Sequence, residues 1–199
     1  YAAANMRRLQ EQRQSLFFRL QDDSASACAQ LSACLTLAEQ WAGVSQEPVA
    51  VPYMEEAVLS FLRSCEVLTS DWKQMLEQVA NAPEPENLLA YTPALDQEIR
   101  LFTMDMQYRY YLRAAYAETP EAEILPLQMA AFSVCVVLLY SRRLGFHTAE
   151  QRLRIWQLFV KEIEYDGNNL EELEWQLETN AAFSPAAFRA YFASLGGVQ

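Results

Sequence analysis

The stretch of residues 124–140 restricts the fold of this chain more than any other feature, because it is apolar except for one glutamine and one serine. A membrane-spanning helix needs roughly 20 apolar residues, and this stretch is shorter. As a helix it directs Met129, Phe132, Val136 and Leu139 toward different neighbours. A helix that is apolar on all sides must be surrounded by other helices. We therefore predict a central helix buried inside a bundle.

Helix starts recur along the chain at Thr92, Thr119 and Ser184, each of which is followed by proline. The hydroxyl accepts a hydrogen bond from a first-turn amide, and proline is well tolerated at the first helical position. Thr148 and Gln151 add the pattern of a capping box. Glycine is rare, at five of 199 residues. These features predict an all-α protein, a compact bundle of about eight helices.

The domain organisation is expected to be simple, with residues 1–199 forming a single helical domain. The best candidate for a subdomain boundary lies near residues 81–92, where Pro83 and Pro85 interrupt the helical pattern. Proline stops a helix because it lacks the backbone N–H and clashes with the preceding turn.

The charge balance argues against nucleic acid as a partner. The net charge is −11, and the 15 Lys and Arg residues are spread along the chain, whereas phosphate contacts need clustered basic residues. The dispersed acidic residues indicate solvated helix faces, with attraction to basic partners as the alternative. We predict a protein that binds neither nucleic acid nor membrane.

The cysteines indicate a reducing compartment. Cys28, Cys34, Cys65 and Cys135 are widely spaced, lie in apolar segments and show no metal-binding spacing. We expect buried free thiols, although four cysteines can also pair in three ways. No secretory signal is visible at the start of the sequence, so a cytoplasmic location is predicted.

One candidate pocket lies on the predicted helix that contains Asp105, Arg109 and Arg113. These residues follow one another at intervals of four, so they share a helix face and the first two can form an ion pair. Tyr108 and three further tyrosines surround this stripe. They can present hydroxyls or ring faces to a ligand. The alternative is a structural ion pair at a contact between helices.

Two carboxylates, Glu162 and Asp166, are also four residues apart and so are expected on one helix face. Paired carboxylates can serve acid–base or metal chemistry, but we favour a solvated face or a salt bridge to Arg109 or Arg113. His147, the one histidine, is expected to lie in a loop or cap. The full candidate set is Asp105, Tyr108, Arg109, Arg113, Glu162 and Asp166.

No catalytic residue, metal site or cofactor site is predicted within this chain. A Rossmann-type methyltransferase needs a glycine-rich loop between a strand and a helix, so that the backbone can approach the cofactor. The sequence contains neither that loop nor a P-loop.

Three short segments near the end of the chain carry a family resemblance. Residues 161–164 (Lys-Glu-Ile-Glu), residues 169–172 (Asn-Leu-Glu-Glu) and Phe183-Ser184 resemble the tail of the flagellin lysine-N-methylase family. Residues 8–37 are similar to the helical pair that follows the cysteine-rich part in that family, and residues 102–111 resemble its tyrosine-rich central segment. At Tyr165-Asp166-Gly167 the chain departs from the serine- and histidine-containing turn that is usual in the family.

The resemblance implies that this chain is the helical C-terminal region of a methylase-like protein. Family members carry clustered cysteines thought to hold an iron–sulfur centre, and this chain has no such cluster. An iron–sulfur cluster and S-adenosylmethionine are therefore expected only in a longer protein. The implied role is an accessory domain that positions a protein substrate such as flagellin, or completes an active site with an N-terminal cysteine-rich domain.

Two other classes of function remain open from the residues themselves. The first is a non-enzymatic, all-helical module for protein interaction or dimerisation, which includes a homodimer. The second is a helical pocket for a small apolar ligand between the two central helices.

Overall fold

The helices of this chain form one bundle around a central helix. The computed structural model describes residues 2–44, 53–83 and 91–195, and over these ranges the chain is helical with no strand. The predicted all-α class is confirmed, with nine α-helices in the described ranges against the predicted number of about eight. They are α1 (Ala2–Gln21), α2 (Ala27–Ala42), α3 (Met54–Ser64), α4 (Ser70–Asn81), α5 (Pro93–Tyr110), α6 (Leu125–Leu144), α7 (Ala149–Phe159), α8 (Gly167–Thr179) and α9 (Pro185–Leu195).

Three of the predicted helix starts are confirmed. Thr92 Oγ1 accepts a hydrogen bond from Leu95 N at 3.2 Å at the start of α5. At the start of α9, Ser184 Oγ accepts one from Ala187 N at 3.2 Å. Thr148 and Gln151 form the predicted capping box at the start of α7. Local chemistry therefore decides where these helices begin.

The start at Thr119 differs from the prediction. Thr119 Oγ1 accepts from Ala122 N at 3.2 Å, but it caps only the single 3₁₀ turn Glu121–Glu123. The long helix α6 begins two residues later, with Pro126 in its first turn. Both prolines in this region are therefore accommodated at the N-terminus of a helical segment, where no backbone N–H is needed.

The central position of α6 explains its composition. Every side chain from residue 126 to residue 141 is buried, and α6 packs against α2, α3, α4, α5, α7, α8 and α9. Within the described part of the chain, α6 is also the one helix long and apolar enough to cross a membrane. Here the neighbouring helices cover its apolar surface on all sides, as a buried central helix requires.

Aromatic side chains dominate the core around α6. Phe132 of α6 is fully buried and meets the ring of Phe61 at a centroid distance of 5.3 Å and that of Phe183 at 5.2 Å, both edge to face. About two turns further toward the end of α6, Tyr140 stacks on Trp72 at 5.4 Å. Edge-to-face and offset stacked rings are the favourable arrangements. These contacts attach α3, α4 and the turn before α9 to the central helix.

The buried apolar side chains form one cluster that draws on all nine described helices. Residues on both sides of the proposed boundary near 81–92 contribute to it, so neither half has a core of its own in the described ranges. Residues 84–90, which carry most of that boundary, lie outside the described residues.

The four cysteines are free and buried, as predicted. Burial raises the pKa of the Cys28, Cys34 and Cys65 thiols to about 12. These thiols are therefore protonated at neutral pH. Because the thiolate is the reactive form, they are unreactive and behave as small apolar core residues.

Candidate functional site

An ion cluster joins α5 to the end of α7. Arg109 donates from Nε to Asp105 Oδ2 at 2.9 Å, which is the predicted pair within α5, and it also pairs with Glu164. Tyr110 donates from its hydroxyl to Glu164 Oε2 at 2.7 Å. The Glu164 carboxylate is buried, so the guanidinium and the hydroxyl replace the water it loses.

Arg113 and Arg109 pair with different carboxylates. Helix α5 ends at Tyr110, and Arg113 lies on the 3₁₀ segment Tyr111–Tyr116 that follows. From there it pairs with Glu174 of α8 at 2.7 Å. The ring of Tyr110 lies between the two guanidinium groups, 5.1 Å from Arg109 and 5.7 Å from Arg113. Both arginines therefore gain cation–π contact in addition to their ion pairs.

The Tyr110 hydroxyl is held in its protonated form. Burial raises the pKa of Tyr110, and the hydrogen bond to Glu164 raises it further. The hydroxyl is therefore a fixed hydrogen-bond donor in this cluster, and it does not act as a base at neutral pH.

Glu162 and Asp166 lie away from this ion cluster, so the predicted salt bridge from either one to Arg109 or Arg113 is wrong. Glu162 is fully buried and accepts hydrogen bonds from Leu68 N at 2.7 Å and from the hydroxyl of the N-cap residue of α4. Asp166 is the N-cap of α8, where Oδ1 accepts from the Asn169 amide at 2.8 Å. Both carboxylates therefore accept hydrogen bonds from backbone N–H groups at the starts of helices.

Glu162 and Asp166 do not share a helix face, because the helix that contains Glu162 ends before Asp166, which is the N-cap of the next helix. Helix α7 continues as the π-helical turn Val160–Glu164, in which Tyr165 N donates to Val160 O at 3.1 Å. A turn closed between residues i and i+5 is wider than an α turn, so it rotates the side chains that follow relative to the α-helical register. Glu164 faces α5, whereas Glu162, two residues earlier and so on the opposite side of the helix, points into the contact between α7 and the start of α4.

Tyr108, the remaining candidate, and His147 also lie outside the ion cluster. Tyr108 is exposed, and its ring contacts the guanidinium of Arg13 on α1 at 5.6 Å. His147 is exposed in the turn before α7, where its backbone N–H donates to Gln151 Oε1 at 3.0 Å. His147 therefore lies in the loop directly before the N-cap residue Thr148, in agreement with the loop or cap position expected from the sequence.

A cleft of about 530 Å³ opens beside the Arg113–Glu174 pair, and we call it the acidic cleft. Glu118, Glu174 and Glu178 line it, and Arg113 is the single cation in its lining. Apolar side chains form much of the remaining wall. They are Ala114, Ala117, Ala122, Leu125, Pro126 and Met129.

The carboxylates of the acidic cleft favour a cationic ligand. Burial raises the pKa of Glu174, and the nearby charges of Glu178 and Glu171 raise it further, whereas Arg113 lowers it. Glu118 and Glu178 make no ion pair with any described residue. A cation entering the cleft therefore meets the partly buried carboxylate of Glu174 and the exposed carboxylates of Glu118 and Glu178, whose charge a single guanidinium only partly neutralises.

The three glutamates of the cleft were not predicted as site residues, although the sequence contains a pattern that points to two of them. Glu171, Glu174 and Glu178 are separated by three and then four residues, which places them on one face of α8. An acidic stripe on a helix usually faces solvent. Here Glu174 and Glu178 both line the cleft, Glu174 partly buried and Glu178 exposed, while Glu171 is exposed outside it.

The raised pKa of Glu174 predicts a pH-dependent stability. Between the ordinary carboxyl pKa and the raised value, the folded state binds more protons than the unfolded state, so the free energy of unfolding decreases as pH rises through that interval. The Glu174→Gln variant should lack this pH-dependent decrease in the free energy of unfolding. Urea unfolding of both proteins between about pH 4 and 7 measures the difference, and a difference that does not change with pH would contradict the prediction.

Within the described ranges, no group of three or more His, Cys, Asp or Glu residues is arranged to hold a metal ion. Comparisons of the chain with models of protein families, with curated proteins and with solved structures found no match.

Proposed function

We propose that this chain binds and positions a lysine-bearing segment of a partner protein at the acidic cleft, and that it is an accessory domain with no catalytic group of its own. The observation that carries this proposal is the combination of three carboxylates, one guanidinium and an apolar wall in one cleft. The best candidate partner is a protein substrate such as flagellin.

A lysine side chain matches both parts of the cleft. Its four-carbon stem can pack on Leu125, Pro126 and Met129, while the ammonium group remains among the carboxylates at the rim. Glu178 has no ion pair with a described residue, so it can accept the ammonium without breaking the Arg113–Glu174 pair. Charge complementarity of this kind contributes to orientation and association rate as well as to affinity.

The resemblance to the flagellin lysine-N-methylase family supports lysine as the ligand chemistry. On this proposal the methyl-transfer chemistry, with any iron–sulfur cluster and S-adenosylmethionine, belongs to a cysteine-rich domain outside these residues. The buried thiols support a reducing location, so we propose the cytoplasm.

Calorimetric titration with a lysine-rich peptide at low ionic strength tests the proposal. We expect the peptide to bind, and we expect the same peptide with acetylated lysines to bind much more weakly because acetylation removes the charge. In the double variant Glu174→Gln/Glu178→Gln the dissociation constant should rise roughly 10- to 100-fold, as expected for lost charge-assisted hydrogen bonds. Intact flagellin then serves as the test of the particular partner.

A matched control separates the cleft from the overall negative charge of the protein. Glu77 and Glu150 are exposed on α4 and α7, so Glu77→Gln/Glu150→Gln changes the net charge by the same amount without touching the cleft. The proposal fails if this control weakens binding as much as the cleft variant does, or if acetylation of the peptide has no effect.

The alternative function is a non-enzymatic interaction or dimerisation module. Exposed aromatic side chains favour it, among them Tyr108, Tyr116, Tyr165 and Trp175, because large exposed apolar groups are enriched at protein contacts. A domain of this kind would not need the acidic cleft, so the cleft variants would bind their partner unchanged.

A further inference from the structure

A second pocket, of about 420 Å³, lies next to the acidic cleft, and we call it the α8 pocket. Its wall includes Glu121, Gln128 of α6, the last turn of α8 and Pro185 at the start of α9. Glu178 of α8 lines both the acidic cleft and the α8 pocket. The two pockets are therefore neighbouring parts of one surface, on either side of this residue.

Gln128 gives the α8 pocket a hydrogen-bond acceptor that the chain itself does not use. Its side chain is only 5% exposed, and Nε2 donates to Leu177 O at 2.8 Å and to Phe183 O at 2.9 Å. Because both partners are acceptors, the group that faces them must be the NH₂ group, and this fixes the orientation of the amide. Oε1 accepts no hydrogen bond from a described residue, and it keeps contact with solvent at the pocket that Gln128 lines. This oxygen therefore needs a donor from water or from a ligand.

The surroundings of this oxygen favour a cationic donor. Glu121 and Glu178 are exposed at the pocket, and neither forms an ion pair with a described residue. Helix α8 ends in the pocket wall at Thr179 and has no basic residue in its last turn, so the negative end of its dipole is not compensated there. None of the residues that line the pocket is Lys, Arg or His. A cation in the pocket therefore meets negative charge with no competing basic side chain in the wall.

An arginine side chain matches this pocket. Its guanidinium carries several N–H groups in a fixed planar fork, so it can donate to Gln128 Oε1 and to a carboxylate at the same time. Its three-carbon stem can pack on the apolar part of the wall, which Ile124, Leu177 and Pro185 provide. A guanidinium is also more weakly hydrated than an ammonium group, so it loses less when it enters a partly apolar pocket.

We propose that the α8 pocket binds an arginine side chain of the same partner segment whose lysine enters the acidic cleft. Glu178 lies between the two pockets, so its two carboxylate oxygens can accept hydrogen bonds from both cations. This inference rests on the function proposed above, because the segment is held by its lysine in the cleft. The chain then recognises a segment with two basic residues and discriminates against a segment with a lysine alone.

Calorimetric titration at low ionic strength with three kinds of short peptide tests the arginine pocket. The first kind has one lysine, the second adds an arginine at each position from one to four residues before or after the lysine, and the third has citrulline in place of that arginine. Citrulline keeps the length and planar end group of arginine but carries no charge. At the best position we expect arginine to lower the dissociation constant roughly 10-fold relative to the lysine-only peptide, as for a hydrogen bond between charged groups. Citrulline should produce much less of this gain.

Two matched variants of the protein locate the gain. Glu121 lines the α8 pocket alone and Glu118 lines the acidic cleft alone, and both are exposed, so Glu121→Gln and Glu118→Gln each remove one negative charge from one pocket. We expect Glu121→Gln to remove most of the gain from arginine and to leave the affinity for the lysine-only peptide unchanged. Glu118→Gln should weaken binding of the lysine-only peptide and preserve the gain.

The outcomes separate this inference from the function on which it rests. Equal affinity for all three kinds of peptide, an equal gain from citrulline, or an equal loss of the gain in both variants would overturn the arginine pocket while the lysine-only peptide still binds. A lysine-only peptide that does not bind would instead overturn the function proposed above, and the two-part site with it.

Discussion

Replacement of Arg100 by leucine is expected to lower the free energy of unfolding by about 3–5 kcal/mol, the range for breaking a buried ion pair by removing one partner. Arg100 is only 5% exposed. It pairs through Nε with Asp96 at 2.8 Å and donates through its other nitrogens to the carbonyl oxygens of Leu20, Asp22 and Ala25. Leucine can satisfy none of these groups.

The carbonyl oxygens explain why the effect should be large. Leu20 lies in the last turn of α1 and Asp22 lies just beyond it, where carbonyl groups have no partner within the helix. Arg100 supplies that partner from α5, and Asp96 also accepts from Ala27 N at 2.6 Å at the start of α2. One ion pair on α5 therefore holds the turn between α1 and α2, and its loss leaves several polar groups unsatisfied.

Arg7→Leu is the matched control because it makes the same change of charge on an exposed arginine. Arg7 pairs with Glu11 on the surface of α1 with 83% of its side chain exposed, and such pairs contribute roughly 0–1 kcal/mol. Urea unfolding followed by circular dichroism measures both variants. A loss for Arg100→Leu no greater than that of the control would contradict the role assigned to the buried guanidinium.

Phe132→Ala is expected to cost about 3–5 kcal/mol of unfolding free energy, the range for truncating a buried aromatic residue. Phe132 is fully buried on α6, and its ring contacts Phe61 and Phe183 edge to face and lies 6.2 Å from the ring of Phe159. The cavity would open where α3, α7 and the turn before α9 meet the central helix. The surrounding helices can collapse only partly into it.

Two controls accompany this variant. Phe132→Leu retains most of the volume and should cost less than the alanine variant. Tyr165→Ala removes an aromatic ring that is 81% exposed, and surface changes of this kind lie within roughly ±0.5 kcal/mol. Comparable losses for Phe132→Ala and Tyr165→Ala in urea unfolding would show that α6 is not the centre of the core.

Several features of this protein could be predicted from short stretches of sequence. The starts of α5, α7 and α9 depend on a hydroxyl side chain and an amide three residues later, as at Thr92, Thr148 and Ser184. The buried position of α6 follows from its apolar composition on every side, and the free thiols follow from cysteines within apolar segments. Each of these depends on local hydrogen bonding or on helical periodicity, so neighbouring residues suffice to predict it.

The candidate site could be predicted only in part. The pair of Asp105 with Arg109 lies within one helix turn, and the spacing of four predicted it. The partners of Arg109 and Arg113 on other helices are Glu164 and Glu174, and the prediction of Glu162 and Asp166 in their place was wrong. That prediction assumed one helix from residue 162 through residue 166, whereas the helix ends in a π turn at Glu164 and Asp166 is the N-cap of α8.

The sequence by itself determined the helical class, the starts of α5, α7 and α9 and the identity of the central helix, because each depends on interactions over a few residues. Tertiary structure decided which charges meet. Arg100 binds carbonyl oxygens that lie about 80 residues away in the chain, and the acidic cleft joins residues of α6 and α8 with the segment Tyr111–Tyr116. Such contacts depend on how helices pack and where one turn widens, and the free energy that selects them comes from the whole core.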